Sequence, residues 1–201
     1  MKLLHIDSSA LGTFSVTREL TAAAVAQYRE RNPGVAVSYR DLAADPLPHW
    51  TPIGGDPSAL TPELRAQAAH NEEILQEFLA ADVIIIGAPM YNFGVPSTLK
   101  AWIDRVAVAG RTFRYTANGP EGLAGKKQVL IASARGGFYA GTPNAVADFQ
   151  ESYLRQTLGF LGLTDIEFVR AEGVGMGPEQ RAAAIAAAHT AIAAQPLALA
   201  A

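Results

Sequence analysis

The sequence predicts an α/β fold: an open, parallel, five-stranded sheet covered by helices on both faces. Three observations carry this. Short apolar runs and stretches of helical periodicity alternate along the chain, the order that builds right-handed strand–helix–strand units. The run Val83-Ile84-Ile85-Ile86, between Asp82 and Gly87, is continuously apolar rather than alternating, as a strand buried on both faces must be. No internal repeat or compositional break interrupts the order, so the 201 residues are expected to form a single domain, residues 1–201.

The elements follow in order. Leu3-Leu4-His5-Ile6 reads as a buried strand that runs into the polar Asp7-Ser8-Ser9. Ser15 is a good N-cap for a helix whose inward face carries Val16, Leu20, Ala23, Ala24 and Gln27, stopped by Asn32-Pro33-Gly34. Residues 35–39 alternate as a strand at a sheet edge. Residues 45–62 hold five prolines and the pair Gly54-Gly55, too many breakers for a regular element. Leu64, Ala68, Ile74, Leu75, Phe78 and Leu79 place a helix before the 82–87 strand. Leu99, Trp102, Ile103 and Val106 give the next helical face, and residues 128–132 the next strand. Val146, Phe149, Tyr153 and Leu154 mark another helix, residues 166–169 the last strand, and residues 179–194 an alanine-rich terminal helix.

Composition narrows the function. Apolar residues make up 49% and charged residues 17%, as in an ordinary globular protein. Sixteen basic and 19 acidic residues are mixed along the chain, leaving a formal charge of -3 and no basic stripe for a nucleic acid. No cysteine is present, which removes thiolate metal sites and fits a reducing compartment. The start of the chain lacks the apolar stretch of a signal peptide, and residues 83–90 fall far short of the roughly 20 residues of a membrane helix. The expectation is a cytoplasmic protein with no membrane partner. His5, His49, His70 and His189 show no metal-ligand spacing, so no metal site is expected.

In such a sheet, ligands bind beyond the carboxyl ends of the strands, where strand order reverses. Three loops qualify. The first carries Ser8, Ser9, Thr13, Ser15 and Thr17 into a helix N-terminus, where hydroxyls and backbone N–H groups can hold a phosphate; capping and turn formation explain part of that pattern equally well. The second, Pro89-Met90-Tyr91-Asn92-Phe93-Gly94-Val95-Pro96, is stiff and offers flat apolar surface beside amide groups, the combination an isoalloxazine ring requires. The third, Ser133-Ala134-Arg135-Gly136-Gly137, puts two glycines after a strand, where backbone donors can approach a ligand.

Together these loops resemble the FMN-dependent NAD(P)H azoreductase family, a branch of the flavodoxin-like quinone reductases. The likeness extends to Arg40-Asp41-Leu42-Ala43, Thr112-Phe113-Arg114-Tyr115-Thr116, Asn118-Gly119-Pro120-Glu121-Gly122-Leu123 and Leu158-Gly159-Phe160-Leu161-Gly162. It implies a flavodoxin-like sheet with FMN as cofactor and NADH or NADPH as electron donor. By the resemblance, Ser9, Ser15, Val16 and Thr17 hold the FMN phosphate. Met90, Tyr91, Asn92 and Phe93 lie along the ring, and Ala134, Arg135, Gly136 and Gly137 meet its pyrimidine end. Family members often carry serine where this chain has Ala134. Asn92, Tyr115 and Phe160 are the substrate-pocket candidates, in a homodimer with flavin sites at the interface.

The implied reaction is two-electron, ping-pong reduction of quinones and azo compounds, with hydride passing through flavin N5 and no essential protein acid or base. The rival is a non-enzymatic flavodoxin-like electron carrier, which should be more acidic. A phosphoacceptor receiver is disfavoured because Gly87-Ala88-Pro89 stands where a second acidic group is needed beside Asp7.

Overall fold

The computed structural model describes residues 1–54 and 56–195. Gly55 and residues 196–201, which the single-domain expectation includes, lie outside the described residues, as does the Pro57 side chain. The elements are β1 (Lys2–Asp7), α1 (Val16–Arg31), β2 (Ala36–Asp41), α2 (Pro62–Ala80), β3 (Val83–Pro89), α3 (Ser97–Val106), β4 (Phe113–Thr116), β5 (Gly119–Gly122), β6 (Gln128–Arg135), α4 (Phe149–Phe160), β7 (Asp165–Glu172) and α5 (Pro178–Ala194). The main sheet is parallel, in the order β2-β1-β3-β6-β7, and β4 and β5 form a separate antiparallel pair.

Strand order reverses between β1 and β3, and this fixes where a ligand can enter. Chain leaving β1 turns to β2 on one side, while chain leaving β3 crosses to β6 on the other, so their outgoing loops part at the carboxyl edge. Every residue of β3 is buried, as a central parallel strand requires. Apolar side chains form two layers. One joins α2, α3 and α4 to one face of the sheet around Phe78, Trp102 and Leu158. The other joins α1 and α5 to the opposite face around Leu20, Tyr28 and Ile192.

Local chemistry sets the helix starts. The Ser15 side chain accepts from Arg18 N to cap α1, and that of Thr61 accepts from Leu64 N to cap α2, with Pro62 in the first turn. Asn32 closes α1, and Gly34 turns the chain at φ 90°.

Three readings change. The inward face of α1 is turned toward Thr21, Val25 and Tyr28; Ala23 and Gln27 are half-buried, and Gln27 donates to the Ile192 carbonyl. Val146 and Phe149 belong to no buried face but project into solvent at the carboxyl edge, 85% and 63% exposed. The β4–β5 hairpin was read only as motif segments, because strands of four residues carrying Arg114, Pro120 and Glu121 show no apolar alternation.

Gly87 in β3 has a specific reason. A Cβ there would lie 2.6 Å from Asp7 Oδ1 and 3.3 Å from Thr21 Cγ2. Gly87→Ala is expected to lose about 2 kcal/mol by overpacking against a buried carboxylate. An unchanged urea midpoint would refute this.

Candidate active site

Loop one runs from Ser8 to the start of α1. Ser8 Oγ donates to the Gly87 carbonyl at 2.6 Å, and Thr98 Oγ1 to the Ser8 carbonyl at 3.4 Å, tying this loop to β3 and α3. Ser9, Ser15 and Thr17 are buried, with Ser15 Oγ and Thr17 Oγ1 3.1 Å apart. Beside them lies a cavity of about 610 Å³ lined by residues that include Ser9, Gly12, Thr13, Ser15, Arg18 and Asp41.

Arg18 is the strut of this loop. Its guanidinium donates twice to Asp41, at 2.6 and 2.7 Å, and to the Ser9 carbonyl at 2.9 Å. A cation in the first turn of a helix opposes the helix dipole, and here the Asp41 carboxylate offsets it. Hydrogen bonds from Arg18, and further ones from the Ala43 and Ala44 N–H groups, hold the Asp41 carboxyl down to about 2 against its desolvation. Burial opposes the ionisation of Asp7, but bonds with His5, Thr21 and Tyr39 keep its carboxyl below the usual range. His5 lies against both Asp7 and Tyr39, with Nε2 3.5 Å from Asp7 Oδ2 and its ring 4.7 Å from that of Tyr39.

The depressed Asp41 pKa fixes a pH window. Its folded value lies below an unfolded value near 4, so its contribution to stability is complete above about pH 4 and fades as pH falls toward 2. The stability gap between wild type and Asp41→Asn should be constant from neutral pH to about pH 5 and close below about pH 4. A gap that closes near neutrality would contradict the assignment.

Loop two folds back on itself. Tyr91 and Gly94 exchange both backbone hydrogen bonds at 3.0 Å, forcing Asn92 to φ 49° and Phe93 to φ 71°. Left-handed backbone is uncommon outside glycine and clusters at functional sites. The turn pushes Asn92 and Phe93 outward, leaving Phe93 51% exposed. Tyr91 Oη reaches loop one, 3.3 Å from Ser9 Oγ and accepting from Ala10 N at 3.1 Å.

Loop three is joined to loop two by a bond from Met90 N to the Ala134 carbonyl at 2.9 Å. The Phe93 and Tyr139 rings meet edge-on at 6.5 Å. The carbonyls of Arg135, Gly136 and Gly137 accept from Val174, Gly175 and Gly173, fixing this backbone from behind. The Arg135 side chain is turned into the protein interior. Fully buried, it pairs with Asp148, Glu151 and Glu172, so of this residue only backbone is available to a ligand.

The three loops are therefore one assembly, and it contains Ser9, Ser15, Val16, Thr17, Met90, Tyr91, Asn92, Phe93, Ala134, Gly136 and Gly137. Among the described residues, the N–H groups of Val16, Thr17, Asn92, Phe93, Gly136 and Gly137 have no hydrogen-bond partner. Donors without protein partners at a helix start and in loops can receive acceptors of a ligand.

Tyr115 and Phe160 do not join it. They meet through Phe113, with ring centroids at 5.6 and 4.5 Å. Asp148, at the start of α4, pairs with Arg135 at the end of β6, whereas Ala124, just before β6, bonds the Leu161 carbonyl. The length of α4, about 16 Å, thus separates Phe160 from the loop assembly. Sequence reasoning also missed Arg18 as a strut and Asp148, Glu151, Gln150 and Glu172 as supports of loop three. No group of residues able to hold a metal ion occurs among the described residues, and no helix there is long and apolar enough to cross a membrane.

A model of the flavodoxin-like fold family matches residues 1–195. The chain belongs to the flavodoxin-like family. Its sheet order and carboxyl-edge loops follow the geometry expected for that fold. Within the family it is similar to the FMN-dependent NADH:quinone oxidoreductase 1 of Xanthomonas euvesicatoria, 65% identical over 188 residues, 94% of this chain and 93% of the relative. It is also similar to the FMN-dependent NADH:quinone oxidoreductase 2 of Pseudomonas aeruginosa, 56% identical across 97% of this chain and 98% of the relative. Among solved structures, the azoreductase of Bacillus anthracis strain Sterne superimposes with a TM-score of 0.84 at 31% identity, covering 96% of this chain and 97% of its own. The FMN-dependent NADH-azoreductase of Bacillus anthracis strain Ames Ancestor, solved in complex with FMN, gives 0.82 at 26% identity and the same coverage.

Proposed function

We propose that the chain is a cytoplasmic, FMN-dependent NADH:quinone oxidoreductase, active also on azo compounds, and that residues 1–201 form its single domain. The observation that carries the reading is the array of unpartnered N–H groups on three mutually bonded loops. The donors fit FMN in kind and order. Val16 and Thr17 N–H, with the hydroxyls of Ser9, Ser15 and Thr17, suit a phosphate at the start of α1. Met90 and the outward turn of Tyr91, Asn92 and Phe93 suit a flat ring, and the backbone of Ala134 to Gly137 suits the acceptors of its pyrimidine edge. The names of the relatives support the same cofactor and donor.

Bound FMN would supply the two-electron chemistry, hydride uptake and return at N5 in separate half-reactions; the protein positions and excludes water. In this reading a homodimer completes the pocket. Tyr115, 76% exposed, and Phe160 are too far from their own loop assembly, so a second copy brings them against its ring beside Asn92.

The test is spectroscopic. Purified protein should take up FMN with defined stoichiometry, lose the flavin bands on anaerobic addition of NADH, and regain them on addition of a quinone. Reduction without turnover on any quinone would favour an electron carrier; no FMN uptake would remove the cofactor assignment.

A further inference from the structure

The Arg135 side chain is committed to the protein interior beside the candidate cofactor edge. Its guanidinium is 0% exposed. One nitrogen reaches Asp148 at 2.8 Å and Glu172 at 3.1 Å, a second reaches Glu151, and Nε donates to Ser133 Oγ at 3.1 Å. Each partner holds something else. Glu172 Oε1 accepts from the N–H groups of Tyr139 and Ala140 at 3.0 and 3.1 Å. Asp148 caps α4 through Gln150 N and Glu151 N. Gln150 accepts from Ser133 Oγ and donates to the Ala88 carbonyl, both at 2.7 Å, which carries the network to the root of loop two. Arg170 adds a second cation through Glu151. Three carboxylates thus face two guanidinium groups, leaving a surplus negative charge in the network that anchors both ends of residues 135–140.

Burial of so many charges is seldom the most stable way to fill a core, and its best-attested value is in fixing one geometry. We propose that Arg135 is a positioning residue for bound flavin: its ion-pair hub fixes the Gly136 and Gly137 N–H donors at the ring's pyrimidine edge, and the surplus carboxylate weights that edge against the reduced, more negative ring. This rests on the FMN reading above. The hub acts through the loop backbone and by charge at a distance, without touching the cofactor.

Two variants test it. Glu172→Gln keeps a carbonyl for the Tyr139 and Ala140 N–H groups but neutralises the hub; the reduced-to-oxidised ratio of bound FMN should rise about tenfold at fixed potential, a midpoint shift of about +30 mV for a two-electron couple. Arg135→Met leaves the carboxylates facing one another. It should weaken FMN binding at least about tenfold and, in the FMN-free protein, speed amide hydrogen exchange at Tyr139 and Ala140. If Arg135→Met does not fold, the Glu172→Gln potential still decides. Wild type that binds FMN while Glu172→Gln leaves its potential unmoved overturns the inference. So does faster exchange in Arg135→Met with unaltered FMN affinity, which would mark a purely local structural role. Wild type that fails to bind FMN sinks the cofactor reading instead, and the inference with it.

Discussion

Gly122→Ala is expected to cost about 3 kcal/mol of stability, more than any other single added methyl group considered. A Cβ on Gly122 would lie 2.1 Å from Gly162 N, 2.3 Å from its Cα and 2.4 Å from the Leu161 carbonyl carbon. All three are backbone atoms, so no rotamer change relieves the clash. Gly162 sits at φ 96° with its N–H bonded to the Gly159 carbonyl at 2.9 Å, so moving its backbone disrupts the close of α4. The hairpin must therefore lift from the end of α4, stretching the Ala124 N to Leu161 carbonyl bond and separating Phe113 from Phe160. Because the three loops proposed to hold FMN lie at the opposite end of α4, FMN affinity should stay within about twofold while the KM for quinone rises. Denaturant unfolding and FMN titration measure the two effects separately. Wild-type stability in this variant would show that the backbones do not meet as closely as described.

The second large effect concerns the turn of loop two. Asn92 holds φ 49°, which asparagine tolerates and a β-branched residue does not. Asn92→Val should unseat the turn at a cost of about 1–2 kcal/mol, shift Tyr91 away from Ser9, and weaken FMN binding about tenfold. Asn92→Gly removes the same carboxamide but suits the backbone, so its FMN affinity should remain within about threefold of wild type. Equal losses in the two variants would assign the effect to the side chain and discard the backbone argument.

How much of this was legible depended on the range of the interaction. β3 and α3 were readable because burial imprints an apolar pattern on neighbouring residues, and the three loops followed from their position after readable strands. The ion pairs were not. Arg18 and Asp41 are 23 residues apart, and Arg135 meets Glu172 37 residues away, so nothing local marks either pairing. Arg135 shows the difference well: sequence placed it correctly beside two glycines, while only the structure shows its side chain turned inward. The hairpin was lost for another reason. Its packing rests on Gly122 and Gly162, where the informative feature is a missing side chain.

The unpartnered donors at the carboxyl edge also bear on how long the protein survives. A ligand that takes up the N–H groups of Val16, Thr17, Asn92, Phe93, Gly136 and Gly137 binds the folded chain and not the unfolded one. At a free concentration a hundredfold above its dissociation constant, it adds about 2.7 kcal/mol to resistance against unfolding. Cleavage of this chain by a protease that attacks the unfolded state should then slow as the ligand saturates the site.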